Sequence, residues 1–242
     1  MTTQEPTYQD IVRRWKALRP RGVRVREVAC VDAPRTLLCA EIGEIDALAI
    51  HLAAGVHGDE PAGPHALLEL AERDELDPRF SYRIWACTNP SGYDARTREN
   101  IDGADVNRTF GRGGSSPEAK AILTANRDRK FALAVDLHED DEASGFYCYE
   151  YGGAGIGRVL IGALAQKTPI DPRGVLEPDP DAEAERIGGR SLSQLLIRSA
   201  ARHALTLETP SALLPFAQRV EIHVGAVKRA LEELGHGAAR ST

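Results

Sequence analysis

The sequence predicts an α/β fold, a single three-layer domain in which helices cover both faces of a mixed, mainly parallel twisted sheet. Three observations carry this. Strand-like apolar runs alternate with helical periods along the chain, and no linker-like break or internal repeat divides it. Residues 47–55 are close to continuously apolar, as in a strand covered on both faces. At 242 residues the chain can bury one substantial core, so the domain is drawn over 1–242.

Residues 8–18 place Ile11, Trp15 and Leu18 at helical spacing before the stop Arg19-Pro20-Arg21-Gly22. β-rich runs follow at 23–31, 37–42 and 47–55. The last leads into Val56-His57-Gly58-Asp59-Glu60-Pro61, a loop, and Pro61 or a neighbour opens a helix through about residue 72. Residues 82–88 form another strand, broken by the turn signal Asn89-Pro90-Ser91-Gly92. From there to Ser116 the chain is polar, glycine-rich and aperiodic, an irregular stretch of the length that usually carries function. A helix is expected over 117–130, a buried strand over 132–137 ending at His138, a strand over 146–151 and a helix over 156–167. The Pro- and acid-rich residues 169–189 read as loop. A helix over 192–204, a strand over 205–207 and a closing helix over 214–234 complete the order.

Composition narrows the function. The formal charge of -6 is modest and both signs are mixed, which argues against nucleic acid as the main partner. The arginines from Arg13 to Arg26 read as the solvated face of a first helix rather than a basic patch. Cys30, Cys39, Cys87 and Cys148 show no CxxC spacing, and three of them sit in apolar runs as small buried hydrophobes. The N-terminus lacks a signal-peptide pattern and no apolar run is long enough to span a bilayer. A cytoplasmic protein without membrane attachment is expected.

The chemistry gathers at strand ends. His57 and Glu60, then His138, then Glu208 all fall where strands of an open α/β sheet present ligand sites. Brought together, His57, Glu60 and His138 form a set of two imidazoles and one carboxylate, which leaves a tetrahedral zinc ion one position for water. One Zn2+ per chain is expected. Such a site needs a base to move the proton to a leaving amine, and Glu208, at the end of the apolar run 205–207, is placed for it. His57 and Glu60 alone are a weak motif, equally readable as a surface loop with a capping carboxylate. His51 and His65 read as structural, as do His203 and His223 on expected helices. The run Gly111-Arg112-Gly113-Gly114 lacks the strand and GK[ST] context of a phosphate cradle. The acids from Asp179 to Glu185 form a solvated segment that could border the cleft as a lid. Glu139 to Glu142 would make the rim acidic and favour substrates bearing a basic group.

In combination the motifs say more. Gly55 to Glu60, Asn89-Pro90-Ser91-Gly92-Tyr93, Arg98-Glu99-Asn100, Gly103 to Phe110, Asp136-Leu137-His138 and Glu208 together resemble the zinc carboxypeptidase family in content and order, over nearly the whole chain from about residue 47. The resemblance implies that His57, Glu60 and His138 ligate zinc and that Glu208 is the general base. It also implies that Arg98 polarises the scissile carbonyl, that Asn107 and Arg108 grip a substrate carboxylate, and that Asp105 orients His57 from behind. Each role is physically apt: a fixed cation where negative charge develops, a planar fork for a carboxylate, and a carboxylate that sets a ligating imidazole's tautomer. Arg96 competes with Arg98, which sits closer to the family pattern.

Two departures limit the likeness. No tyrosine lies between Pro169 and Glu208, where digestive-type carboxypeptidases carry one on a mobile loop; Tyr147, Tyr149 and Tyr151 read instead as alternating half-buried strand residues. The chain is also shorter than a digestive-type domain. Both features draw it toward the intracellular peptidase and murein-peptide amidase branches and the succinylglutamate desuccinylase/aspartoacylase group. The expected function is zinc-dependent hydrolysis of an amide bond in a small carboxylate-bearing peptide, as a metallocarboxypeptidase or peptide amidase. The alternatives are deacylation of an N-acyl amino acid and a non-catalytic peptide-binding module.

Overall fold

The computed structural model describes residues 6–30, 33–111 and 114–239. Its strands are β1 (Arg24–Ala29), β2 (Thr36–Ile42), β3 (Leu48–Ala54), β4 (Phe80–Trp85), β5 (Phe131–Asp140), β6 (Phe146–Tyr151), β7 (Ile170–Leu176) and β8 (Ala201–Pro210). The helices are α1 (Tyr8–Ala17), α2 (Ala62–Glu72), α3 (Pro90–Ala95), α4 (Pro117–Ala125), α5 (Ile156–Leu164), α6 (Pro180–Arg186), α7 (Leu192–Ser199) and α8 (Phe216–Ala239). The strands form one sheet in the order β1-β2-β4-β3-β5-β8-β6-β7. β3 pairs in parallel with β4 and β5, β5 with β8, and β6 with β7; the remaining pairs are antiparallel. This is the mixed, mainly parallel sheet that the sequence predicts.

Strand alternation sorts the core into two layers. Leu52, Leu133, Val135 and Leu205 face α1, α2, α5 and α8, which bury Trp15, Leu67, Leu160 and Val227 against them. Ala53, Ala134 and Ala204 face α4 and α7, which contribute Ile122 and Leu196. Small residues on that second face pack against α4 and α7. Toward the carboxyl ends the same face turns polar, through Asp136, His138, Thr206 and Glu208. All four cysteines are buried and free. No helix is long and apolar enough to cross a membrane among the described residues.

Several elements depart from the sequence reading. Asn89-Pro90 opens a helix instead of a turn: Asn89 Oδ1 accepts from Gly92 N at 3.0 Å and Pro90 takes the first helical position. The expected loop 169–189 contains β7 and α6. Pro172 is tolerated because β7 is an edge strand pairing only with β6, and Asp179 caps α6 through the amides of Asp181 and Ala182. α4 stops at Ala125, five residues early, because the Asn126 side chain turns inward to His51 at 3.1 Å. α7 ends at Ser199 and β8 starts at Ala201, so His203 lies on a strand and not on a helix. β5 runs on to Asp140 and β8 to Pro210, which sets His138 and Glu208 side by side as register partners within the sheet. Of the glycine run 111–114, Arg112 and Gly113 lie outside the described residues, as does Val31 of the expected first strand.

Candidate metal centre

Beyond β3 the chain enters the loop that bears His57 and Glu60. Gly58 makes this loop possible. A Cβ there would lie 1.8 Å from the carbonyl carbon of Gly92, so the loop packs directly on the α3 backbone. Gly58 N donates to Thr97 O at 3.0 Å and Asn89 Nδ2 donates to Arg98 O at 3.1 Å, tying the loop, α3 and the Arg98 segment together. Gly58→Ala is therefore expected to cost about 3 kcal/mol, at the upper end of overpacking penalties, and to lower Tm by roughly 6–12 °C for a chain of this size. An unchanged midpoint in thermal denaturation would show that the loop yields.

His57, Glu60 and His138 are buried, and their ligand atoms lie within 4.8 Å of one another. His57 Nδ1 is 2.5 Å from Glu60 Oε1 and His138 Nδ1 is 2.9 Å from Glu60 Oε2. The other ring nitrogens face carboxylates: His57 Nε2 is 3.2 Å from Asp105 Oδ1 and His138 Nε2 is 3.2 Å from Asp136 Oδ2. Both Nδ1 atoms thus converge on one point while both Nε2–H groups are held from behind, the arrangement that fixes a ligating imidazole's tautomer. Burial disfavours both imidazolium ions, yet Glu60 with Asp105 raises His57, and Glu60 with Asp136 raises His138 further. The same pairs hold Glu60 and Asp105 well below the usual carboxylate range despite their own desolvation. The donor set of two imidazoles and one carboxylate fits zinc.

Asp136 is the residue that sequence reasoning passed over. It stood within the quoted Asp136-Leu137-His138, and its place two residues before a ligand on a strand puts both side chains on one face. Asp136→Asn is expected to weaken zinc binding by about 10–100-fold, the usual consequence of losing such a partner. Chelator competition reads this directly, and unaltered affinity would mean that His138 needs no support.

The remaining predicted residues border the same cavity, of about 230 Å³. Arg98 reaches it, with Nε and Nη2 on Asp105 Oδ2 at 3.1 and 3.0 Å and Nη1 3.3 Å from His57 Nδ1. Arg96 does not border it; it stacks on Tyr93 at 4.6 Å and donates to Pro6 O. Buried Asn100 shapes the segment between Arg98 and Asp105, accepting from the amides of Asp102 and Ala104 while donating to fully buried Glu118. Asn107 is more structural than its expected role suggests. Its Oδ1 accepts from Leu192 N at the start of α7 at 3.1 Å, and only Nδ2 faces His138, at 3.5 Å. Arg108 lines the cavity, with Nη1 on the Asn107 carbonyl oxygen at 3.2 Å.

Glu208 lies at the cavity floor between its register partners His138 and Tyr147. It has no hydrogen-bond or ion-pair partner among the described residues. Desolvation pushes its carboxyl up to about 8, assisted by Glu60 and Asp140 and opposed by the two histidines. Of the expected acidic rim, Glu139, Asp140 and Asp141 do line the cavity, the first two of them paired. Glu139 is buried, accepts from Ala62 N at the start of α2 and pairs with Arg219 of α8. Asp140 accepts from the Tyr147 hydroxyl at 2.8 Å and pairs with Arg173 at 3.0 Å, leaving Asp141 and Glu142 exposed. The segment 179–185 does border the cavity, as helix α6. The other histidines serve the core: His51 and His223, driven down to about 3 by burial, meet Asn126 and Thr209, and His65 meets the Tyr93 hydroxyl.

Comparisons with known proteins agree with this architecture. Residues 46–153 match the family described as the succinylglutamate desuccinylase/aspartoacylase catalytic domain. That span holds every predicted site residue except Glu208. Carboxypeptidase SOL1 of Arabidopsis thaliana is 34% identical over 117 residues, 40% of this chain, which spans only 24% of that relative's length. Among solved structures, a nominal metallopeptidase from Shewanella amazonensis shares the fold with a TM-score of 0.77 at 22% identity, covering 93% of this chain and 92% of that one. A metallo-carboxypeptidase from Burkholderia cenocepacia has a TM-score of 0.76 at 16% identity, covering 96% and 70%. The chain thus shares its fold with solved metallopeptidases and carboxypeptidases, and its segment 46–153 is similar to the succinylglutamate desuccinylase/aspartoacylase catalytic domain.

Proposed function

We propose that this chain is a zinc-dependent hydrolase that cleaves an amide bond in a small, carboxylate-bearing peptide. The observation that carries the reading is the convergence of His57, Glu60 and His138 on one point at the floor of a cavity, with the unpartnered carboxylate of Glu208 beside it. Bound there, zinc would supply Lewis acidity toward the scissile carbonyl and toward water. Glu208 takes a proton from the attacking water and returns it to the leaving amine nitrogen. With zinc held by His57, Glu60 and His138, the Glu208 carboxyl would be lowered from its raised value and so be available as a base at neutral pH. Arg98, held by Asp105 at the cavity, would offer its remaining N–H donors to the oxygen on which negative charge develops. Arg108, whose Nε and Nη2 have no partner among the described residues, takes the substrate carboxylate.

Deacylation of an N-acyl amino acid is the second reading, favoured by the family match over 46–153. Both reactions cleave an amide beside a carboxylate, so the acyl group decides. A panel of dipeptides, murein-peptide-like substrates and N-acyl amino acids, assayed with the zinc-loaded protein, separates them. Turnover of the peptides over the acyl amino acids by at least tenfold is expected; the reverse ranking assigns the chain to deacylation. Peptide binding without turnover of any substrate would leave a binding module.

A further inference from the structure

Asn100 belongs to the motif Arg98-Glu99-Asn100, yet the proposed hydrolysis gives it no part. It organises the turn between Arg98 and Asp105. Its Oδ1 accepts from Asp102 N at 3.1 Å and Ala104 N at 2.9 Å, and its backbone N–H donates to Ala104 O at 3.0 Å. The Nδ2 donor is left to hold the whole turn, and it donates to Glu118 Oε2 at 3.0 Å. Neither Asn100 nor Glu118 lines the cavity, so an effect of either on chemistry passes through other residues.

Glu118 is fully buried in the first turn of α4, a helix that holds none of the proposed site residues. Its Oε1 lies 3.2 Å from Arg35 Nε, and Arg35 Nη2 reaches Asp102 Oδ2 at 2.5 Å on the same turn. The start of α4 also holds the far side of the site loop. Ser116, the N-cap, places Oγ 2.9 Å from Thr109 Oγ1, and Ser115 N donates to Thr109 O at 3.0 Å. Residues 100 and 109 are thus both gripped, and Asp105, Asn107 and Arg108 lie between the two holds. A carboxylate buried this completely loses its hydration, and an apolar side chain of similar volume would avoid that cost. What the charge provides and an apolar residue could not is a fixed orientation for the Asn100 turn.

We propose that Glu118, acting through Asn100, is a positioning residue for Asp105 and Arg98. The path is short. Asn100 exchanges hydrogen bonds with Ala104, the neighbour of Asp105, and Asp105 divides its oxygens between His57 Nε2 at 3.2 Å and Arg98 Nε at 3.1 Å. Movement of this turn therefore shifts both the orientation of His57 and the reach of Arg98 into the cavity. The Arg98 arm rests on the proposed hydrolysis, whereas the His57 arm rests on the metal site alone.

The test reverses the hydrogen bond. Asn100→Asp keeps Oδ1 for the amides of Asp102 and Ala104 but sets a carboxylate against Glu118. Adding Glu118→Gln restores a donor–acceptor pair with the roles exchanged. Zinc affinity is read by chelator competition, kcat and KM on a dipeptide that the native chain cleaves, and Tm on the metal-free proteins. Asn100→Asp is expected to weaken zinc binding about tenfold and to lower kcat by about 10–100-fold, as small misplacements of catalytic groups do, with KM changing less. The double variant should recover most of both losses. A merely structural role would lower Tm while zinc affinity and kcat stay native. That result, or a double variant no better than the single, overturns the proposal. Should Asn100→Asp not fold, Glu118→Gln alone carries the test, because it leaves one oxygen for the two donors Asn100 Nδ2 and Arg35 Nε. Loss of zinc affinity and kcat in it supports the positioning, and native values overturn it. If the native chain cleaves no dipeptide, the hydrolysis reading fails and zinc affinity alone decides the positioning.

Discussion

Glu208→Gln is expected to lower kcat by about 10²–10⁴-fold, the range that general acid–base groups supply, while zinc content and Tm stay close to those of the native chain. The substitution is nearly isosteric, so it removes the proton acceptor without opening a cavity. Substrate binding should persist, because Gln keeps the size of the native side chain. A variant that turns over normally would remove Glu208 from the mechanism. Loss of metal in the variant would instead make Glu208 part of the site's structure.

The second large effect is the stabilisation brought by the metal, and its pH dependence has a definite sign. Without metal, His57 and His138 have raised pKa values, so their contribution to stability is full below the unfolded value of about 6.5 and is lost as pH rises through the folded values. Glu208 works in the same direction: stability falls between about 4.5, where the unfolded carboxyl loses its proton, and about 8, where the folded one does. Glu60 is depressed and contributes the opposite way: its share is present above its unfolded value and lost only at strongly acid pH. From pH 6 to 9 the metal-free protein should therefore lose stability. The zinc-loaded protein, whose imidazoles ligate in the neutral form, should not follow it. The gap in Tm between the two forms should widen with pH, each kcal/mol appearing as about 2–4 °C. A gap that narrows over this range would contradict the linkage.

Much of this arrangement is legible in the sequence because it depends on strong local signals. The apolar runs of β3 and β5 and the motif residues immediately after or within them identify the sheet and the ligands with little interference. What was not legible depends on tertiary partners. β7 and α6 hide in a Pro- and acid-rich stretch, because an edge strand tolerates proline and a short exposed helix needs only its cap. Residues 200–204 carry helix-forming alanines, but pairing with β5 makes Ala201 to Ala204 strand. Glu139 looks like surface charge until Arg219, 80 residues later, is folded against it. The choice between Arg96 and Arg98 likewise turns on a backbone feature, the left-handed Arg96 at φ 57° that ends α3 and lets Arg98 turn toward the cavity.

The central claim is that His57, Glu60 and His138 form one working metal site, and metal content tests it most directly. Protein purified without added chelator, alongside His57→Ala prepared identically, is analysed for metal per chain. The structure predicts about one zinc per native chain and little or none in the variant. No zinc in the native chain, even after reconstitution, would contradict the account and leave the cavity as a binding site.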